Sequence, residues 1–397
     1  MLSLHDLAPA PSLDLSPEDD VVALRRDFHA HPEIGFHETR TAGIVAERLR
    51  ALGLEVHEGI GVTGVVGILR GAREGRTVLV RADMDALPIV EENDWAWKST
   101  AMGAMHACGH DAHTATGLTV ARLLVSEKES LRGNVVFMFQ PAEEGLGGAM
   151  RMLDDGLLEI LKPDVCLALH IWSEIEAGKV AISDGPVMAG TDDFRCVIRG
   201  KGGHGAMPHQ AIDPVIVAAH VVTALQSVVS RSIPPTASGV VTVGKLQAGT
   251  AFNIIPDTAF LEGTVRAFEE PVRALLETRV REICETLPQA WGASAEFSYT
   301  RGFPATVSTP EVCDVVRAAA AKVVGAENVI PFEPTMGAED FSQVLERVPG
   351  CYFFVGGRNA EIGATWPHHH PKFNICESAL MIGARTLTES VKACLES

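Results

Sequence analysis

Basic residues are scarce in this chain. Its 397 residues include 33 lysines and arginines against 51 aspartates and glutamates, a formal charge of −18. Nothing in that balance would offset the repulsion of a phosphate backbone, which excludes nucleic acid as a partner. A small substrate stays open, because local charge decides that. Long apolar runs are missing as well: no segment reaches the roughly 18 uninterrupted apolar residues that span a bilayer, so no membrane partner is expected. Residues 1–17 carry acids and prolines but no apolar run behind a basic start, and are read as a loose tail without a signal peptide. The eight cysteines are scattered and form no C-x-x-C pair. Cys166, Cys196 and Cys284 lie in apolar stretches and are expected as buried, reduced thiols, which makes the cytoplasm the natural compartment. Internal repeats and low-complexity segments are absent too.

What remains is a globular composition. Hydrophobic residues make up 46% and charged residues 21%, too few charges for a disordered chain. The length exceeds what one hydrophobic core usually serves, so two domains are expected. Helical spacing predicts helices at about 18–30, 38–52, 111–126, 310–324 and from 378 onward. Short, nearly continuous apolar runs at 77–81, 134–139, 165–169 and 351–355 have the pattern of strands buried on both faces. Strands alternating with helices favour an α/β fold with a largely parallel sheet. Between about 188 and 300 the texture changes. Strands at 194–199, 239–246, 258–267 and 293–299, with helices at 214–230 and 271–287, follow the β-α-β-β-α-β order of a ferredoxin-like unit. The reading is therefore a discontinuous catalytic domain, 1–187 and 301–397, with an inserted domain at 188–300 and hinges near 187 and 300.

The densest chemistry lies at 105–113, MHACGHDAH, with three histidines, a cysteine and an aspartate. Further polar groups follow the strands: Asp83 and Asp85, then Glu143 and Glu144, then His170. In open α/β sheets ligands bind past the carboxyl ends of the strands. The tail adds PHHHP at 367–371. Thiolate, imidazole and carboxylate are the ligand types of zinc and the later first-row divalent metals, and a thiolate can bridge two ions. Adjacent glutamates suit a division of labour, one binding metal and one acting as general base. Singly each has a bland reading: His170 structural, Glu143 and Glu144 a solvated pair, 368–370 a chance run. Their placement at corresponding strand ends argues for a site. His29, His31 and His37 are read as loop or surface histidines.

MHACGHD (105–111), QPAEEG (140–145), GGHGAMPH (202–209), GTAFNIIP (249–256), GTVR (263–266) and MGAEDFS (336–342) together resemble the dinuclear metallo-amidohydrolases that include hippurate hydrolase, aminoacylases and plant auxin-conjugate hydrolases. The match runs from about Asp20 to the C-terminus. The resemblance implies a zinc-peptidase-like mixed sheet with flanking helices, plus a ferredoxin-like lid and dimerisation domain. It implies two divalent ions (zinc, manganese, cobalt or nickel) held by Cys108, His110, Glu144, His170 and His369, with Cys108 bridging. Glu143 matches the general base and Asp85 a residue that orients a ligand, a task His113 could share. His204 matches a donor to the scissile carbonyl, supplied in related enzymes by the partner subunit. Asn253 and Arg266 match groups that hold a substrate carboxylate. The run of three histidines departs from the family pattern and leaves His368 and His370 as alternatives to His369. The expected reaction is hydrolysis of N-acyl amino acids such as hippurate, with water activated by metal and Glu143, in a homodimer or larger assembly formed through the inserted domain. The rivals are a carboxypeptidase or dipeptidase, a diaminopimelate-type deacetylase, or a non-catalytic metal- or ligand-binding protein. The adjacent glutamates speak against the last, since a pure binder has no use for a base.

Overall fold

The computed structural model describes residues 15–397, so most of the expected tail lies outside the described residues. The strands of its two larger sheets, in chain order, are β1 (Glu55–Ile60), β2 (Gly64–Arg70), β3 (Arg73–Asp83), β4 (Arg132–Gln140), β5 (Val165–Glu176), β6 (Val180–Ala181), β7 (Gly190–Arg199), β8 (Gly239–Ala248), β9 (Thr258–Ala267), β10 (Ser294–Arg301), β11 (Val329–Ile330) and β12 (Gly350–Arg358). The long helices are α1 (Pro17–Ala30), α2 (Thr39–Ala51), α3 (His110–Ser126), α4 (Pro214–Ser227), α5 (Glu270–Thr286), α6 (Pro310–Val324) and α7 (Ser378–Glu396). Two compact units result. The first takes the chain up to Val187, then Val307–Glu333 and Asp340–Ser397; the second takes Met188–Thr306 and Pro334–Glu339, a short excursion that the sequence pattern did not signal.

The first unit is built on an eight-stranded mixed sheet in the order β1-β2-β4-β3-β5-β12-β6-β11. Its four central strands, β4-β3-β5-β12, are mutually parallel. They are the apolar runs read from sequence, and their inner residues Val78–Val80, Val135–Phe139 and Leu167–Leu169 are buried. The β1–β2 hairpin is antiparallel and was not anticipated, because β1 is a polar, largely exposed edge strand without apolar alternation. One boundary differs in a way that bears on the site. β5 does not stop at His170 but continues to Glu176, paired with β12 to the end, while its pairing with β3 stops at Ala168. His170 therefore lies just past the last β3–β5 pair, level with Asp83 at the end of β3 and inside a strand rather than past one.

Local chemistry sets the helix ends. Ser16 caps α1 by accepting from the Asp19 N–H, Pro17 takes the first turn, and Glu18, Asp19 and Asp20 complement the positive end of the helix. α3 begins at His110 directly after Gly109, whose φ of 94° lies in the left-handed region where a side chain would be strained.

The second unit has a four-stranded antiparallel sheet in the order β8-β9-β7-β10, with the sequence order β7-α4-β8-β9-α5-β10. This is the β-α-β-β-α-β plan of a ferredoxin-like unit. Alternation is strict along β7: Asp192, Phe194, Cys196 and Ile198 are buried between more exposed neighbours. Phe194, Cys196 and Ile198 pack against Val217, Val221 and Leu225 of α4 and Val272, Leu276 and Val280 of α5. Among the described residues one helix, Pro214–Ser232 (α4 with its π-helical extension), is long and apolar enough by composition to cross a membrane. His220, Thr223 and Gln226 interrupt it, and its buried face belongs to this unit's core.

Candidate metal centre

Four chain segments of the first unit deliver the predicted residues to one place. Cys108 and His110 come from the loop entering α3, Glu143 and Glu144 from the turn after β4, His170 from β5, and His369 from the loop before α7. Donor atoms of Cys108, His110 and His170 all lie within 4.8 Å of one another, and so do those of Cys108, Glu144 and His369. A third such group joins His110, Glu143 and Glu144. Cys108 belongs to both of the first two groups, the placement that a thiolate shared between two ions requires.

The hydrogen bonds around these side chains aim their coordinating atoms. His110 Nδ1 donates to Asp85, at 2.9 Å to its carbonyl and 3.2 Å to Oδ1. That fixes the tautomer and leaves Nε2 buried without a hydrogen-bond partner. Asp85 Oδ2 also accepts from the Glu144 N–H at 3.0 Å, so one carboxylate orients two ligand-bearing segments. His170 donates Nδ1 to the Ile171 carbonyl at 2.8 Å and turns Nε2 to within 3.5 Å of Cys108 Sγ. Glu144 Oε1 is buried with no hydrogen bond, although His369 Nε2 stands 3.2 Å away as an ion-pair partner. A buried carboxylate oxygen and a buried imidazole nitrogen without donors are costly unless a cation satisfies them. This thiolate, imidazole and carboxylate set fits zinc and its neighbours.

The three tail histidines are told apart by their surroundings. His368 Nε2 accepts from the Ser173 N–H at 3.2 Å, and its ring packs on Trp172 and Phe373. His370 stacks on Trp366 with centroids 4.2 Å apart. Only His369 faces Cys108 and Glu144, and it does so from a left-handed backbone, φ 65°. Ala142, just before Glu143, is likewise left-handed at φ 53°. Each such non-glycine residue costs about 1–3 kcal/mol and persists where surrounding contacts over-determine it. The His369 N–H donates to the Ala107 carbonyl at 2.8 Å, tying two ligand loops together.

Charge density shapes the protonation of these side chains. Burial and the Glu144 charge push the Cys108 thiol up. Burial opposes charging of His110, yet Asp83 and Cys108 outweigh it and hold the imidazole well above its ordinary value. The Cys108 sulfur and the Glu144 carboxylate facing it raise His369 to about 10. Metal binding would release these protons, since it needs thiolate and neutral imidazole.

His113 is a strut. Its Nδ1 donates to Asp83 at 2.6 Å and its Nε2 accepts from the Ile171 N–H at 2.9 Å, so both nitrogens are engaged. His106 is buried with neither nitrogen hydrogen-bonded, and burial drives its pKa down to about 4. His29 is neither a loop nor a surface histidine. It is fully buried in α1, 2.7 Å from Asp111 and 3.3 Å from Glu91, and Arg25 meets the same Asp111 at 2.9 Å. Its place in the last turn of the 18–30 pattern, on the face of Val21, Leu24, Arg25 and Phe28, was the available signal. His31 is half-buried on the Asp27 carbonyl, and His37 is exposed.

In the second unit, His204 and Asn253 are exposed and adjacent. Gly203–His204 pairs with Ile254–Ile255, and the Gly205 N–H donates to the Asn253 carbonyl at 2.9 Å. Arg266 is half-buried on β9 and turned onto Thr264 and the Val265 carbonyl.

Comparison with known proteins agrees with the site. Residues 79–393 match the model of peptidase family M20/M25/M40. The chain is 41% identical over 371 residues to thermostable carboxypeptidase 1 of Saccharolobus solfataricus, covering 92% of this chain and 93% of that protein. It is 38% identical over 384 residues to IAA-amino acid hydrolase ILR1-like 4 of Arabidopsis thaliana, covering 95% and 87%. Among solved structures it resembles the Bacillus subtilis YXEP protein, named a dinuclear metal binding peptidase from the M20 family, with TM-score 0.85, 32% identity and coverage of 97% and 99%. The chain thus belongs to peptidase family M20/M25/M40 and is a metal-binding hydrolase of that family.

Proposed function

We propose that this protein hydrolyses the amide bond of N-acyl amino acids, hippurate-like compounds among them, releasing a carboxylate and a free amino acid. The observation that supports the reading most is the pair of donor groups sharing Cys108, with Glu143 beside His110 in a third group. Cys108, His110 and His170 would hold one ion, and Cys108, Glu144 and His369 the other. Two divalent ions supply Lewis-acid polarisation of the carbonyl and lower the pKa of water. Glu143 takes the proton from the attacking water and returns it to the leaving amine. Asp85 keeps His110 and Glu144 in place. His204 donates to the developing oxyanion, and Asn253 with the guanidinium of Arg266 anchors the substrate carboxylate. We also propose the second unit as lid and dimerisation domain. Its exposed apolar residues Val215, Ile216, Phe252 and Ile254, and its sheet edges β8 and β10, are what support a second copy. The cytoplasm is the compartment proposed, on the eight reduced cysteines.

The relative named as a carboxypeptidase favours a second reading, cleavage of a peptide bond next to a free carboxylate. A rate panel separates the two. Purified protein loaded with Mn²⁺, Co²⁺ or Zn²⁺ is assayed on N-acetyl and N-benzoyl amino acids and on dipeptides. The first reading expects the N-acyl compounds to be turned over fastest, with activity lost on chelation and restored by metal. Faster cleavage of dipeptides supports the second, and no turnover of any of them rejects both.

A further inference from the structure

Glu38 is a fully buried carboxylate that the mechanism above leaves unused. It stands at the N-cap of α2, yet its side chain makes no capping bond. That work falls to Glu33, whose carboxylate accepts from the backbone N–H groups of Arg40 and Thr41 at 2.9 and 2.8 Å. Glu38 instead reaches across to the turn after β4. Its Oε1 accepts from the Ala142 N–H at 2.8 Å, while Oε2 accepts from the Thr63 hydroxyl at 2.5 Å. Ala142 is the left-handed residue immediately before Glu143 and Glu144. Its carbonyl is held from the other side by the Gly148 N–H at 3.1 Å. Gly35 closes the packing: a Cβ there would lie 3.0 Å from Ala142 and 2.9 Å from Leu146. An alanine does not hold a left-handed backbone by preference. Something has to hold it, and burying a carboxylate to do so is costly unless the hydrogen bond it makes matters. Burial indeed raises the Glu38 carboxyl, partly offset by the bonds to Thr63 and Ala142.

We propose that Glu38 is a positioning residue: by gripping the Ala142 N–H it fixes the backbone kink that aims Glu143 and Glu144 in their separate directions. The proposal rests on the function proposed above only for its kinetic readout. The test uses full-length Glu38→Ala, Glu38→Gln, Glu38→Asp, Ala142→Gly and the Glu38→Ala/Ala142→Gly double variant. For each, kcat and KM on an N-acyl amino acid are measured, together with Co²⁺ affinity of the metal-stripped protein by calorimetry. Glu38→Ala is expected to lose at least tenfold in kcat with KM within threefold, and to bind Co²⁺ several-fold more weakly. Glu38→Gln keeps an acceptor for the Ala142 N–H and should stay within threefold of the parent. Glycine adopts the left-handed backbone without strain, so the double variant should recover a large part of the Glu38→Ala loss, an effect that a merely structural glutamate would not produce. Should Glu38→Ala fail to fold, Glu38→Asp, which keeps the charge but falls short of Ala142, is expected to show the same loss in smaller measure. Parent-like kcat and Co²⁺ affinity in a folded Glu38→Ala or Glu38→Asp protein overturns the proposal, as does a double variant no better than Glu38→Ala. Glu143→Gln run alongside separates the two failures: if it stays active, the base assignment falls, and the Co²⁺ arm alone decides the case of Glu38.

Discussion

In the first unit His29, His106, His110, His113 and His170 are all buried, together with Asp83, Asp85, Asp111, Glu38, Glu91 and Arg25. In the sheet and helices of the second unit the buried charge is a single pair, Asp192 and Arg273. That pair is fully satisfied: Arg273 Nε spans both carboxylate oxygens at 3.1 and 3.0 Å, Tyr299 donates to Asp192 at 2.8 Å and the Gly302 N–H at 3.1 Å. The first unit's cluster is not, since His110 Nε2 and Glu144 Oε1 lack hydrogen-bond partners. A satisfied pair in an apolar stack is architecture. A dense, incompletely satisfied cluster at strand ends is a candidate site, and its thiolate, imidazole and carboxylate donors fit divalent cations. The contrast carries over only in part to the candidate residues themselves: His110, Glu143 and His170 are buried and Cys108 and Glu144 half-buried, whereas His369 of the first unit is exposed, as are His204 and Asn253 of the second.

This contrast can be broken experimentally. Glu143→Gln should keep its metal and lose about a hundredfold to ten-thousandfold in kcat, the usual weight of a general base; steady-state rates beside metal analysis check it, and parent-like turnover would remove Glu143 from that role. Asp192→Ala leaves Arg273 uncompensated and should destabilise the second unit by about 3–5 kcal/mol. Denaturant unfolding reads that loss, and the Co²⁺ affinity of the first unit should be unmoved; a joint loss would mean that the two units are not energetically separate. His204→Ala should lower kcat by about a hundredfold to a thousandfold as a missing oxyanion donor does, with unfolding unchanged because the side chain is exposed. The smallest effect belongs to His370→Ala. Its ring stacks on Trp366 and accepts one hydrogen bond, from the Lys372 N–H at 3.1 Å, so stability should move by about 1 kcal/mol or less and metal content not at all, while His369→Ala should lose metal.

Much of this was visible in the sequence for a physical reason. The central strands are buried on both faces and so read as unbroken apolar runs, and the ligands follow them in QPAEEG and MHACGHD. The β-α-β-β-α-β order of the elements after about residue 188 announced their unit, and β7 alternates with period two. What stayed hidden depends on contacts distant in sequence. Nothing in the residues around Glu38 says that it reaches Ala142, 104 residues away. His29 lies 82 residues from Asp111, and its burial follows from how α1 packs on α3. β1 escaped because an edge strand needs little apolar pattern. The resemblance implied His369, but the three adjacent histidines are alike in themselves, and it is their surroundings and the left-handed backbone of the middle one, φ 65°, that set them apart.

The central claim is that Cys108 joins two cation positions within the first unit. It is tested most directly by titrating Co²⁺ into the metal-stripped protein and into Cys108→Ser, following stoichiometry by calorimetry and the thiolate-to-cobalt charge-transfer band by absorption. The account predicts two equivalents per chain with the band in the parent, and loss of the band with weakened binding at both positions in Cys108→Ser. A single equivalent in the parent, or a band that survives the substitution, would contradict it.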